Sequence, residues 1–309
     1  MRRLLMVCGF AAGVATALFY RHDIKRLRTR LTLAGRVVGT ALGPIEVAEL
    51  GHGDPIIVLH GTGGGFDQGL DMTAALANEG FRLIAPSRFG YLRTALPEDA
   101  SAAAQGDMVT ALLDSLGIER AAVMGISAGA WPALHFAAKH PLRCRAVVLL
   151  VPATDLPRKT RALGTLLTGL FASDFLGWVL VRLGRFSAVL RGLMIGTPAT
   201  VMRHASPKER RRVLAILDDA LPASARLAGI KNDLRQMAPE AGCDMATVAC
   251  PVLAISTEDD AFHTAPRARE IAAAVPDGTT VIYSTGGHAL VNRYSEAVRE
   301  VAAFLKERD

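Results

Sequence analysis

Residues 121–137, AAVMGISAGAWPALHFA, carry the clearest local signal in the chain. A short apolar run comes first, and the pattern Gly-x-Ser-x-Gly follows at Gly125, Ser127 and Gly129. The next residues have the composition of a helix, with Pro132 in the first turn, where a missing N–H does little harm. A strand before and a helix after this pattern predict a sharp turn that presents the Ser127 hydroxyl at the edge of a sheet.

Candidate strands and helices alternate outward in both directions from this turn. Several strand candidates are continuous Val/Ile/Leu runs, as strands buried on both faces of a mostly parallel sheet require. The sequence therefore predicts an α/β fold with helices on both faces of the sheet. The strand candidates are 45–50, 56–60, 82–85, 121–126, 146–151, 252–256 and 279–283, and the helix candidates are 71–79, 101–116, 131–139, 266–275 and 295–306.

The alternation stops between Val151 and Val252, where no convincing strand pattern occurs. Residues 163–193 are rich in Leu, Gly and Val, and 207–221 have a basic start followed by an apolar helical face. We expect an inserted helical cap over about 153–248, folded over the carboxyl edge of the sheet. Its apolar surface could line a substrate pocket or contact a membrane, and both interpretations stay open.

A serine nucleophile needs a base, and His288 is the best placed of the eight histidines. It lies in TGGHA, 285–289, after the last strand candidate, and the two glycines give the loop freedom to bring an imidazole over the sheet edge. The base in turn needs a carboxylate. Residues 257–260, TEDD, follow the strand candidate 252–256, so we expect one of these acids, Asp259 and Asp260 among them, to face His288.

An acyl-transfer intermediate also needs N–H donors for its oxyanion. One expected donor is the N–H of Ala128, directly after the nucleophile. The second is expected from the glycine-rich loop HGTGGG, 60–65, where Thr62 and Gly63 are the candidates. A dinucleotide-binding fingerprint is the rival interpretation of this loop, but Phe66 stands where that fingerprint needs a small residue.

Taken together, these features resemble the α/β-hydrolase superfamily over roughly residues 44–309. The resemblance rests on His60-Gly61 after a strand, PSRFGY at 86–91, LDSLGI at 113–118, the serine turn, the Asp259-Asp260 loop and Gly287-His288. It implies the order serine, acid, histidine and a helical cap, and it favours Asp260 as the acid, with Asp259 as the alternative. Because the turn holds Ser rather than Asp, the haloalkane-dehalogenase and epoxide-hydrolase branches are disfavoured.

These residues predict a serine hydrolase that forms an acyl-enzyme on Ser127, most readily with carboxylic esters of hydrophobic substrates, and that needs no cofactor and no metal. Carbon–carbon bond hydrolase, thioesterase, amidase and perhydrolase activities use the same constellation and remain alternatives. A catalytically silent relative that binds a small ligand under the cap is the alternative from another class.

The N-terminal residues predict a separate segment, 1–36, before the hydrolase domain, 37–309. Residues 4–20 carry no charge, whereas 1–36 hold eight basic residues and one acid, which leaves the rest of the chain nearly neutral and a poor nucleic-acid binder. We expect 4–20 to be an uncleaved membrane anchor with the catalytic domain on the cytoplasmic side. A signal peptide cleaved after Ala15-Thr16-Ala17, giving a secreted or periplasmic protein, is one alternative, and a helix packed on the body is another.

Overall fold

Eight strands form one sheet in the computed structural model, in the order β1-β2-β4-β3-β5-β6-β7-β8. The structure describes residues 2–238 and 241–307, and their side chains except those of 2–12, 160, 163, 167, 170 and 171. The strands β3 to β8 run parallel to one another, while β2 pairs antiparallel with both β1 and β4. The strands are β1 (Arg36–Thr40), β2 (Gly43–Leu50), β3 (Asp54–Leu59), β4 (Phe81–Pro86), β5 (Ala121–Ile126), β6 (Cys144–Leu150), β7 (Val252–Thr257) and β8 (Gly278–Tyr283).

Helices cover both faces of this sheet, as the sequence predicts. One face carries α3 (Ala102–Ser115), α4 (Ala130–Lys139) and α11 (Thr264–Ala274), and the other carries α2 (Phe66–Thr73) and α12 (Tyr294–Lys306). Successive strand residues point to opposite faces of the sheet. Val123 packs in the core under α3, α4 and α11, and Met124 packs in the core under α2 and α12. All six residues of β5 are buried, which explains why this strand reads as a continuous apolar run.

The seven predicted strands are all present, and β1 is the strand that the sequence did not reveal. It is a five-residue edge strand in which Val38 is the one fully buried residue. Short half-exposed edge strands have neither a long apolar run nor a strong alternation, and β1 also follows directly on the basic N-terminal segment.

Among the described residues, six α-helices separate β6 from β7, in agreement with the expected cap. They are α5 (Arg158–Phe171), α6 (Asp174–Phe186), α7 (Ala188–Ile195), α8 (Ala199–Arg203), α9 (Pro207–Asp218) and α10 (Leu227–Gln236). Many of their buried residues, Trp178, Val181 and Val213 among them, belong to one apolar cluster. Ala289 and Val291, which follow His288, belong to the same cluster, so the cap packs directly on the histidine loop.

The N-terminal helix α1 (Arg2–Ala34) joins the cap core through its second half. Ile24 and Leu27 are buried in the cap cluster, and the Asp23 carboxylate accepts hydrogen bonds from Trp178 Nε1 at 2.8 Å and from Arg182 Nε at 2.9 Å. A residue of the same helix, Arg30, donates to Asp219 at 2.9 Å. Polar and apolar contacts therefore both fix this half of α1 on the cap.

The expected membrane-anchored localisation is wrong. The proposed anchor, 4–20, lies partly outside the residues whose side chains are described. Within the part of the chain that the structure describes, no helix combines the length and the apolar character that crossing a bilayer requires. The part of α1 that follows the apolar run is charged over 21–30 and packs on the cap, where Ile24 and Leu27 are buried.

Candidate active site

Ser127 lies in a sharp turn between β5 and α4. Its backbone has φ 52°, in the left-handed region, which costs a non-glycine residue about 1–2 kcal/mol. The flanking glycines make the turn possible, because a Cβ on Gly125 would lie 2.6 Å from the Gly129 carbonyl oxygen, and one on Gly129 would lie 2.2 Å from the Leu59 carbonyl oxygen. The close approach of β3, β5 and α4 therefore requires glycine at both positions.

His288 connects this serine to a carboxylate. Its Nε2 lies 2.9 Å from Ser127 Oγ, and its Nδ1 lies 2.7 Å from Asp260 Oδ2. A carboxylate accepts hydrogen bonds only, so Nδ1 carries the proton and Nε2 is left as the acceptor for the serine hydroxyl. The three side chains that the sequence predicts thus meet in the geometry of a nucleophile, a base and an orienting acid.

The Asp260 carboxyl group is buried and fully occupied. In addition to His288 it accepts hydrogen bonds from the Phe262 N–H at 2.8 Å and from the Thr264 hydroxyl. Burial raises the pKa of Asp260, but the charge interaction with His288 and these hydrogen bonds outweigh it and hold the pKa below 3.8. The carboxylate is therefore ionised at neutral pH, as a partner of an imidazole must be.

Asp259 has a different position from its neighbour. Its two oxygens accept hydrogen bonds from the Thr285 hydroxyl and from the Gly287 N–H, each at 2.7 Å. Gly287 has φ 58°, so the loop is held in a conformation that favours glycine. The structure thus places Asp260 on the imidazole and Asp259 on the backbone of the loop that carries it.

The three candidate oxyanion donors differ in how they are used. The Gly63 N–H donates to the Tyr91 hydroxyl at 3.2 Å and is therefore already occupied. Among the hydrogen bonds of the residues that the structure describes, none uses the N–H of Thr62 or of Ala128. The loop lies beside the nucleophile, since a Cβ on Gly61 would be 3.1 Å from the Ser127 Cβ. Thr62 and Ala128 remain the two candidate donors.

A small apolar cluster lies next to Ala128. Ala128 packs with Ala153 and Met237, and Leu156 and Leu234 contact the same cluster. Four of these five residues come from the segment between β6 and β7, and the Ala153 N–H donates to the Ser127 carbonyl at 3.2 Å. Ser127 is 9% exposed, so this apolar cluster lies beside a largely buried nucleophile.

Sequence reasoning missed a buried ionic cluster behind the 60–65 loop. Arg88 and Asp233 form a bidentate ion pair there, with 1% and 2% of their side chains exposed. Arg88 falls within the 86–91 motif, but Asp233 has no signal of its own, because a lone acid in a helical segment usually indicates a solvated face.

Comparison with known proteins agrees with the fold described above. A family profile described as the alpha/beta hydrolase fold matches residues 54–291. The chain therefore belongs to the α/β-hydrolase family.

Individual relatives are distant. An uncharacterized hydrolase, YcgS of Bacillus subtilis, is 28% identical over 71% of this chain and 78% of its own length. A putative carbamate hydrolase, RutD of Klebsiella pneumoniae, is 29% identical over 77% of this chain and 85% of its own. Among solved structures, an alpha/beta hydrolase fold protein from Nakamurella multipartita superimposes with a TM-score of 0.72 at 25% identity, covering 88% of this chain and 98% of its own.

Proposed function

We propose that this protein is a serine hydrolase that cleaves carboxylic esters of hydrophobic substrates through an acyl-enzyme on Ser127. The observation that carries the proposal is the continuous hydrogen-bonded chain from Ser127 Oγ through His288 to Asp260 Oδ2, at 2.9 and 2.7 Å. An adjacent base that is itself held by a carboxylate is sufficient to activate the Ser127 hydroxyl.

The proposed reaction has two halves. His288 Nε2 removes the proton of Ser127 as its oxygen attacks the ester carbonyl, and the resulting oxyanion is held by the N–H groups of Ala128 and Thr62. The imidazolium then protonates the leaving alcohol, and the acyl group stays on Ser127. In the second half His288 removes a proton from water, which attacks the acyl-enzyme; the bond to Ser127 Oγ then breaks, His288 returns the proton to Ser127, and the acid is released.

The preference for an apolar acyl group rests on the cluster beside Ala128. An acyl chain on Ser127 would meet Ala153, Leu156, Leu234 and Met237, which offer it no charged partner. Burial of each additional methylene stabilises the bound state by about 0.8 kcal/mol. The value of kcat/KM should therefore rise about threefold to fourfold per CH₂, until the acyl chain extends beyond these apolar residues.

The test is labelling of the purified protein with a fluorophosphonate probe, beside Ser127→Ala and His288→Ala, with p-nitrophenyl esters of two to twelve carbons turned over in parallel. We expect labelling and turnover in the wild type alone, with an optimum at a medium or long chain. Folded wild-type protein that neither labels nor turns over any ester would overturn the proposal. A p-nitrophenyl carbamate and a thioester belong in the same panel, and a higher kcat/KM on either would replace the ester as the substrate class.

A further inference from the structure

A carboxylate of the cap is buried directly behind the 60–65 loop, which carries the candidate donor Thr62 and is called the oxyanion loop below. Asp233, on α10, accepts four hydrogen bonds: two from the Arg88 guanidinium at 2.7 and 2.6 Å, one from the Tyr91 hydroxyl at 2.6 Å and one from the Thr62 hydroxyl at 3.1 Å. Its side chain is 2% exposed. A carboxylate this deep in the protein is fixed in position, because moving it would leave a charge without partners.

The donors around Asp233 hold the oxyanion loop at successive points. Thr62 is held through its own side chain. The Gly63 N–H donates to Tyr91, which in turn donates to Asp233. Arg88 donates through Nε to the His60 carbonyl at 2.8 Å and through its backbone N–H to His60 Nε2 at 3.0 Å.

The protonation states are consistent with this direction of donation. Burial and the Arg88 charge lower the pKa of His60 well below 6.5, so its imidazole is neutral and Nε2 can accept. Burial and the charge of Asp233 raise the pKa of Tyr91 well above 10, so its hydroxyl keeps the proton that it donates. The network is thus a single ion pair with neutral groups attached.

The helix that carries Asp233 is locked against the body at a second point. The Gly229 N–H donates to the Gly90 carbonyl at 2.9 Å, and a Cβ on Gly229 would lie 2.2 Å from the Tyr91 ring. This close contact packs α10 tightly against the 88–91 loop. This part of the cap is therefore held against the loop that carries Arg88 and Tyr91.

We propose that Asp233 is a positioning residue that orients the Thr62 N–H toward the oxyanion from the cap side, acting through the Thr62 hydroxyl and Tyr91. The inference rests on the proposed function, since it assigns a role in stabilising the tetrahedral intermediate formed on Ser127. In this proposal α10 helps to orient an oxyanion donor, in addition to packing over the site.

The test uses two conservative variants that leave the Arg88–Asp233 pair intact. Thr62→Val removes the hydroxyl donated to Asp233, and Tyr91→Phe removes the hydroxyl between Gly63 and Asp233. Removing one oxyanion donor outright costs about 10²–10³-fold in kcat, so misorientation in either variant should lower kcat by about 10–100-fold. KM should stay within about threefold of the wild type, because the lost interaction exists only in the transition state.

Two further variants separate positioning from general stability. Thr62→Ser keeps the hydroxyl and should restore kcat. Asp218→Asn weakens another cap ion pair, with Arg182 and Arg185, and should lower the melting temperature without changing kcat. Asp233→Asn should lower both kcat and the melting temperature, because Arg88 loses its charged partner.

A trifluoromethyl ketone, which forms a tetrahedral adduct on serine, supplies a readout independent of turnover. Its inhibition constant should rise in Thr62→Val by the same factor by which kcat/KM falls. Wild-type turnover with unchanged kcat in Thr62→Val and Tyr91→Phe would overturn the positioning role and leave the hydrolase assignment standing. A wild type that forms no adduct with either the ketone or a fluorophosphonate would overturn both.

Discussion

Replacing Asp260 with Asn changes one atom of a buried carboxyl group and reverses the hydrogen bond that fixes His288. Oδ1 accepts from the Phe262 N–H, so an asparagine keeps its oxygen there and places its NH₂ group toward His288 and Thr264. His288 Nδ1 then becomes the acceptor, and the ring proton moves to Nε2. An Nε2–H that points at Ser127 Oγ cannot take the serine proton.

The expected loss follows from this change of tautomer. Loss of the correct tautomer in a serine–histidine–aspartate system lowers kcat by about 10⁴-fold, which corresponds to about 5.4 kcal/mol of transition-state stabilisation at about 1.36 kcal/mol per tenfold. The volume of the side chain is unchanged, so KM should change little. Because the pKa of Asp260 is lowered in the folded protein, its carboxylate stabilises the fold at neutral pH, and the unfolding midpoint should fall modestly.

The assay is steady-state hydrolysis of the best p-nitrophenyl ester, with the rate of fluorophosphonate labelling as a second measure. Asp259→Asn is the matched control, since it removes the same charge one residue away and keeps an oxygen for the Gly287 N–H; its kcat should stay within about tenfold of the wild type. Equal losses in the two variants, or an Asp260→Asn enzyme that retains a tenth of the wild-type kcat, would refute the assignment.

Three further predictions concern stability. Gly129→Ala should lower the free energy of unfolding by about 1–3 kcal/mol, because the added Cβ would clash with the Leu59 carbonyl. Gly169→Ala is the control: the space around Gly169 is open, so this change should be neutral or stabilising by up to about 1 kcal/mol. Equal urea midpoints in the two variants would contradict this. Asp23→Ala should lower the free energy of unfolding in urea by about 3 kcal/mol, because the Trp178 indole and the Arg182 guanidinium on the cap lose the carboxylate to which they donate. A change within about 0.5 kcal/mol would mean that α1 is not docked as described. Burial and two neighbouring carboxylates raise the pKa of Asp219 well above 3.8, so this group destabilises the fold as the pH rises from 3.8 toward the raised value. Asp219→Asn should therefore increase the melting temperature more at pH 8 than at pH 4, and an equal or reversed difference would show that the carboxyl is not so perturbed.

The main features of the candidate site could be predicted from sequence because they depend on local backbone requirements. The turn at Ser127 needs glycine on both sides, and the buried strands need continuous apolar runs, so each leaves a pattern that can be read in a few residues. His288 and the acid pair were found because each follows a strand, and parallel strands bring their carboxyl ends to one edge.

Which of Asp259 and Asp260 contacts His288 was decided by tertiary structure. Both follow β7, and the resemblance to the family only favoured Asp260. The loop directs one carboxylate to the imidazole and the other to the Gly287 N–H. A difference of one residue in a loop reverses the direction of a side chain without changing any periodic signal.

Long-range pairs of charges were also beyond the sequence. Arg88 and Asp233 lie 145 positions apart, and Asp23 and Trp178 lie 155 apart. Apolar residues reveal their burial by spacing along one element, whereas a buried charge looks the same in sequence as a solvated one until its partner is known. The sequence by itself therefore determined seven of the eight strands, the serine turn and the histidine loop. Only the tertiary structure decided which acid contacts the histidine, where α1 packs and how the cap contacts the 60–65 loop.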